Sequence, residues 1–226
     1  MKRIVIHWTA GAHTPSNLDK QHYHKIIDGA GKVHDGKHPI SANAGSVKGR
    51  KNYAAHTLNL NSDSIGVAVA AMAGAQERPF NAGAHPITPA QVKALAGLCA
   101  TLAKQYGIPI TPETILTHAE VQPVLNVRQR GKWDITWLPG MNAPGDPIAV
   151  GNKLRALIAM EAKPAPQKPA SRSPHVNESA KSSTRPDGQV KKPAKPAFGI
   201  AGAVAIILAG LGLWLTEAWE KLMGLW

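Results

Sequence analysis

The stretch Ile4-Val5-Ile6-His7-Trp8-Thr9-Ala10-Gly11 decides how this chain is read. Three β-branched apolar residues run straight into a histidine, as in a buried strand. Thr9, Ala10, Gly11 and the later Pro15 then break the strand. A histidine at the C-terminal end of a central strand stands where α/β folds build their sites. Taken alone, His7 reads first as a core imidazole satisfied by a backbone carbonyl. A second stretch changes that balance: Ile115-Leu116-Thr117-His118-Ala119-Glu120, followed by Gly131-Lys132-Trp133-Asp134. Two histidines and a carboxylate, each at the end of an apolar run, have the chemistry of a catalytic zinc shell. Such a shell has three protein ligands and one open position. The chain has ten histidines, so spacing alone only suggests this.

Working outward, residues 3–7 are expected to form the first strand. His13 to Lys20 reads as a polar turn with a short helix capped by Ser16. Tyr23–Ile27 and Lys32–His34 form a hairpin across Asp28-Gly29-Ala30-Gly31. Pro39–Asn52 is rich in Gly, Ser and Lys and reads as a solvated loop, with a groove border as the alternative. Ser64–Ala71 is almost continuously apolar, as in a central strand covered on both faces. Thr88-Pro89-Ala90-Gln91 opens the clearest helix, with a capping box and Pro at the first position. Its buried stripe is expected at Val92, Leu95, Leu98, Leu102 and Tyr106, and Gly107 and Pro109 end it. Cys99 lies in that apolar run and reads as a buried structural thiol. Ile115–Thr117 is a short strand delivering His118. Gly151–Glu161 is a last helix with Leu154, Leu157 and Ile158 inward. Strands and helices mix without a strict βαβ repeat, so the fold class is α/β, one central mixed sheet flanked by helices.

Five motifs occur in one order: His7-Trp8-Thr9-Ala10-Gly11, Tyr23-His24-Lys25-Ile26-Ile27, Asn61-Ser62-Asp63-Ser64-Ile65-Gly66-Val67, Thr117-His118 and Lys132-Trp133-Asp134. Over about residues 1–140 the chain resembles the type 2 N-acetylmuramoyl-L-alanine amidases. That family includes phage lysozyme-type amidases and shares its fold with peptidoglycan recognition proteins. The resemblance implies a Zn(2+) cofactor held by His7, His118 and Asp134, and peptidoglycan as substrate. The side chain of Asp134 reads alternatively as a helix or turn cap. It also implies catalytic roles for Lys132, which would face the developing oxyanion, and for Tyr23, which would orient the attacking water or the carbonyl. The bland readings are a solvated lysine and a packed tyrosine. His56 aligns with a site histidine of phage-type relatives and is expected to bind substrate. His24, His34 and His38 read as structural or surface residues. Two departures stand out. His118 and Lys132 are further apart than is usual, so Val121–Gly131 is expected to form a larger loop beside the metal. Glu120 stands where many relatives carry Asp, either as an outer hydrogen-bond partner of a ligand histidine or as a surface acid.

Composition sets the rest. The 226 residues suffice for one buried domain plus extra segments, here drawn as residues 1–162. The net charge of +12 is uneven: Lys163–Ala197, rich in Pro, Lys, Ser and Ala, carries a net +6 and reads as a disordered linker. Such a segment favours anionic surfaces. A nucleic-acid role rests on charge alone, and no aromatic-basic binding motif supports it. No signal peptide is visible, because only three apolar residues follow Met1-Lys2-Arg3 before His7. One cysteine excludes an internal disulfide framework. Phe198–Leu215 contains no charge; its 18 residues would span about 27 Å as a helix, close to a hydrocarbon core of about 30 Å. Residues 198–216 are therefore expected to be a single-pass transmembrane helix, and Glu217–Trp226 an amphipathic interfacial tail. Gly199, Gly202, Gly210 and Gly212 would allow self-association. Lys191, Lys192 and Lys195 precede the helix and Glu217 and Glu220 follow it, which leaves the N-terminal part in the cytoplasm. A phage lysis enzyme held on the host inner membrane until that membrane fails would reconcile this with a cell-wall substrate. The competing readings are a membrane-anchored autolysin, a muropeptide-recycling amidase, a non-catalytic peptidoglycan-binding module and a membrane-permeabilising tail.

Overall fold

The structure, a computed structural model, describes residues 1–163. The linker, transmembrane helix and interfacial tail expected beyond them lie outside the described residues. Among the described residues, no helix is long and apolar enough to cross a membrane.

The apolar run after Met1 forms β1 (Arg3–Trp8), and Ser64–Val69 forms β4. Between them come α1 (Asn17–His22), β2 (Lys25–Ile27) and β3 (Val33–Asp35); after them come α2 (Pro89–Tyr106), β5 (Ile115–Thr117), α3 (His118–Leu125) and α4 (Pro147–Ala162). The five strands make one sheet in the order β3-β2-β4-β1-β5. Every pairing is parallel except that of β2 with the edge strand β3. This is the expected mixed sheet flanked by helices. β1 and β4 lie inside it and are apolar along nearly their whole length, as doubly covered parallel strands are.

Helix α2 carries the expected capping box between Thr88 and Gln91, and Gly107 closes it in the left-handed conformation at φ 63°. Gln91 does more than cap. Its buried amide donates to the carbonyls of Ile27 and Ala70, pinning the helix to the ends of β2 and β4. The buried stripe runs through Val92, Leu95, Ala96, Cys99, Leu102 and Ala103; Leu98 and Tyr106 are only half-buried. Cys99 is fully buried, and burial raises its thiol pKa to about 12.

Four expectations change. Tyr23 is not in a strand but caps the C-terminus of α1. Pro39–Asn52 is not a wholly solvated loop: Ile40–Asn43 is a 3-10 turn whose Asn43 is buried and brackets Ala54 through both polar ends of its amide. Helix α4 begins at Pro147, four residues before Gly151, because Asp146 accepts the Ala149 N–H and Pro147 suits the first turn. Val121–Gly131 is not a single loop, since α3 continues to Leu125.

Glu120 answers to neither of its expected roles. It is fully buried and makes a two-pronged ion pair with Arg155, Oε1 to Nη2 at 2.7 Å and Oε2 to Nη1 at 3.1 Å. It also accepts the Thr117 N–H, and Arg155 donates on to the Ile115 carbonyl. The pair therefore clamps α4 to the turn between β5 and α3. Gly151 makes the room: a Cβ there would lie 2.1 Å from the Glu120 carboxyl carbon. By contrast, a Cβ at Gly97 in α2 would meet only the tip of Glu161 at 3.9 Å. The same substitution is thus expected to have opposite signs. Urea unfolding should show Gly97→Ala gaining about 0.5–1 kcal/mol from helix propensity. Gly151→Ala should lose about 2 kcal/mol or more through overpacking at the buried pair.

Candidate active site

Strand register builds the site. The parallel pairs Val5–Leu116 and Ile6–Thr117 place His7, one residue further along β1, level with His118 at the start of α3. Both imidazoles are buried, His7 completely and His118 at 5 % exposure. Val5 and Leu116, two residues earlier on the same face, pack with Leu60 and Val121 beneath them. Thr117 caps α3 in a capping box with Glu120, which fixes the first helical turn and hence the direction of His118.

Asp134 arrives from a turn whose backbone is tied to that same helix: its carbonyl accepts the Ala119 N–H at 2.6 Å. The side-chain cap read as the alternative for Asp134 is not made. Its carboxylate, 6 % exposed, faces the two imidazoles. Thr136 donates to the Trp133 carbonyl, and Trp133 meets Trp8 edge to face at 4.5 Å, holding the turn against the end of β1.

Three donor atoms converge. His7 Nδ1 and His118 Nδ1 are 3.0 Å apart, and Asp134 Oδ2 lies 3.2 Å from the first and 3.0 Å from the second. Among the described residues this is the one group of three His, Cys, Asp or Glu side chains close enough to share a metal ion. The donor set and its size suit zinc. Bonds of about 2.0–2.1 Å place tetrahedral donors roughly 3.3–3.4 Å apart, and two imidazoles with one carboxylate match open catalytic shells. Electrostatics point the same way. Burial, with the neighbouring His118 second, lowers the His7 pKa to about 4, so it is a neutral donor near pH 7. Burial opposes the charge on Asp134, but the adjoining His118 and His7 outweigh it and hold its pKa at about 2.

Around the triangle lies a groove of about 900 Å³. Trp8, Tyr23, His56, His118 and Asp134 line it, with Val47–Arg50 contributing along one stretch and Gln129, Arg130 and Lys132 along another. Part of the Pro39–Asn52 segment therefore borders the groove. The Tyr23 ring stands 5.1 Å from that of His7. Burial, reinforced by the Asp134 charge, raises its phenol pKa, so it keeps its proton. Lys132 is exposed at the groove, and its charge contributes to the lowered pKa of His7.

His56 is buried behind His7. Its Nδ1 lies 3.3 Å from His7 Nε2 and 2.8 Å from Thr57 Oγ1, and its Nε2 faces the Ser64 carbonyl at 3.4 Å. It packs against Gly66, where a Cβ would lie 2.5 Å from the ring. Asn61 accepts the backbone N–H groups of both His56 and Thr57 and fixes this loop. His24 is not a surface residue: it is 2 % exposed and accepts the Gly66 N–H. His34 pairs with Asp28 on the hairpin, away from the groove.

Reading residue types alone misses Thr57, Asn61 and Gln129. Gln129 Oε1 is 2.9 Å from His118 Nε2. A glycine inside an apolar strand, Gly66, was the available signal that a ring approaches the sheet closely.

Burial lowers the His24 pKa from 6.5 to about 4. The unfolded chain then binds the extra proton between those values. This histidine's contribution is complete above pH 6.5 and is lost as pH falls through 4. For the metal-free protein it amounts to about 3 kcal/mol. His24→Asn retains an acceptor for the Gly66 N–H, and should flatten the slope of unfolding free energy against pH in that window by close to one proton.

A family model described as N-acetylmuramoyl-L-alanine amidase matches residues 1–140. No curated protein sequence matches the chain. Among solved structures, the N-acetylmuramoyl-L-alanine amidase LysC from Clostridium intestinale is similar at 16% identity, over 70% of this chain and 85% of that one, with a TM-score of 0.40. The Staphylococcus aureus hydrolase AmiA, in complex with its ligand, is similar at 16% identity over 71% and 72%, with a TM-score of 0.42. A bumblebee protein, PGRP-SA, is similar at 17% identity over 62% and 84%, with a TM-score of 0.35.

Proposed function

The chain belongs to the N-acetylmuramoyl-L-alanine amidase family and has that amidase activity, and from this premise we propose that it does its chemistry with a zinc ion at His7, His118 and Asp134. The observation that carries the reading is the triangle of three donor atoms, 3.0–3.2 Å on a side, opening into the groove. The ion supplies Lewis acidity toward the scissile carbonyl and the attacking water. Water adds to the lactyl carbonyl carbon of N-acetylmuramic acid, the bond to nitrogen breaks, and the proton ends on the amine of L-alanine.

The chain's own groups have separate tasks. His7 and His118 would each give the metal a ring-nitrogen lone pair, and Asp134 a carboxylate oxygen. Tyr23 keeps its phenolic proton, which suits a hydroxyl that orients the water or the carbonyl by donating a hydrogen bond. Lys132 brings an ammonium to the groove, where it stabilises the developing oxyanion. His56 borders the groove, but both ring nitrogens have protein partners. It therefore offers substrate a ring edge and supports His7 from behind. Lys48, Arg50, Arg130 and Lys132 make the groove's charged lining basic apart from Asp134, matching the carboxylates of a peptidoglycan stem peptide.

We further propose that residues 163–197 are a basic linker, 198–216 a membrane-spanning helix and 217–226 an interfacial tail, and that the enzyme is a phage endolysin or a membrane-anchored autolysin. The run of 18 uncharged residues supports the span, and the net +6 before it supports attraction to an anionic surface.

Mass spectrometry of purified sacculi treated with the protein tests the reading. Peptides with a free L-alanine amine should appear, and a chelator should stop their release. His7→Ala, His118→Ala and Asp134→Ala should each abolish release. Lys132→Ala should slow it about 10²–10³-fold, the usual loss for one oxyanion partner. Release undiminished by chelator would reject the zinc mechanism.

A further inference from the structure

We propose that Gln129 is a positioning residue that accepts the Nε2–H of His118 and so commits that histidine to present Nδ1 to the metal. The inference rests on the zinc-site reading above.

Gln129 is 3 % exposed, although Arg128 and Arg130 on either side are exposed. Its amide has only one sensible orientation. Nε2 lies 2.9 Å from the Leu58 carbonyl and 3.3 Å from the Val127 carbonyl. Both are acceptors, so the NH₂ faces them, and Oε1 is left to face His118 Nε2 at 2.9 Å. An amide oxygen cannot donate, so Nε2 of His118 must carry the proton. The lone pair of Nδ1 then points toward His7 Nδ1 and Asp134 Oδ2. The Gln129 backbone N–H is fixed in turn by Gln122 Oε1 at 3.0 Å, on α3 itself.

The other ligand histidine is framed alike, its Nε2 facing His56 Nδ1 at 3.3 Å and Thr57 Oγ1 at 3.4 Å. The two frames meet, because Leu58, whose carbonyl holds Gln129, directly follows Thr57. Gln129 lies in the stretch between His118 and Lys132, so the segment that joins a metal-ligand histidine to the groove lysine also supports that histidine from outside.

Two variants of the full-length chain separate positioning from packing. Gln129→Leu is close in size and cannot accept. Gln129→Glu keeps an oxygen for the Nε2–H but loses both donations to carbonyls. Zinc dissociation constants come from competition with a chromophoric chelator, and thermal unfolding of the metal-free proteins follows the fold. Gln129→Leu should bind zinc about 10–100-fold more weakly, as for other lost outer partners of metal ligands. Gln129→Glu should bind at least as tightly as the parent although its metal-free form unfolds at a lower temperature. In the zinc-loaded parent and in Gln129→Glu, the His118 Nε2–H proton should be observable by NMR and protected from solvent exchange. Equal weakening in both variants, or unchanged binding in Gln129→Leu, would overturn the proposal. If Gln129→Leu does not fold, weakened binding and an unprotected proton in Gln129→Glu overturn it alone. A parent protein that binds no zinc would refute the zinc-site reading itself, and this inference with it.

Discussion

The site depends on the parallel pairing of β1 with β5. That register sets two imidazoles from distant parts of the chain side by side at the same level of the sheet. A slip of one residue would turn His7 to the opposite face, since side chains alternate along a strand. The register is held by what lies below: Val5 and Leu116 share a buried cluster with Leu60 and Val121, so a slip would expose apolar surface as well as dismantle the site. The buried Glu120–Arg155 pair acts from the other end, locking the turn where β5 becomes α3.

The second constraint is electrostatic. Three buried polar side chains converge beside the groove, and burial alone opposes a charge there. The arrangement resolves this with one carboxylate and two imidazoles, one of which is held neutral by burial, while backbone amides and side-chain amides satisfy the loops around them. His56 continues the pattern outward. Burial, with the neighbouring His7 next, lowers its pKa well below the usual value. It can therefore lie against His7 as a neutral acceptor.

The central strands, the long capped helix and the His7–His118–Asp134 set were legible because each is written locally: apolar runs, a capping box, and polar residues ending apolar segments. The outer support was not. Nothing in the sequence around Gln129 distinguishes it from any loop glutamine; it matters only because a carbonyl from residue 58 comes to meet it. Glu120 is similar. The Thr117-to-Glu120 spacing announces a capping box, but its partner Arg155 lies 35 residues away on α4. The hairpin is legible from its Asp28-to-Gly31 turn, but Tyr23 lies outside it because α1 ends on that residue. Asp134 is ambiguous in sequence because Asp before Ile-Thr also suits a side-chain cap; in the fold the carboxylate faces the imidazoles instead, and only the backbone carbonyl reaches α3.

The strand order carries a consequence for synthesis. β1 is made first, yet it sits between β4 and β5. Its histidine meets His118 across 111 residues and Asp134 across 127. No shorter nascent piece holds the three donors together, so a ribosome must release most of the domain before a cutting centre can exist. Contacts of such long sequence separation also close slowly. Topology therefore delays the assembly of the three donors until nearly the whole domain has been made.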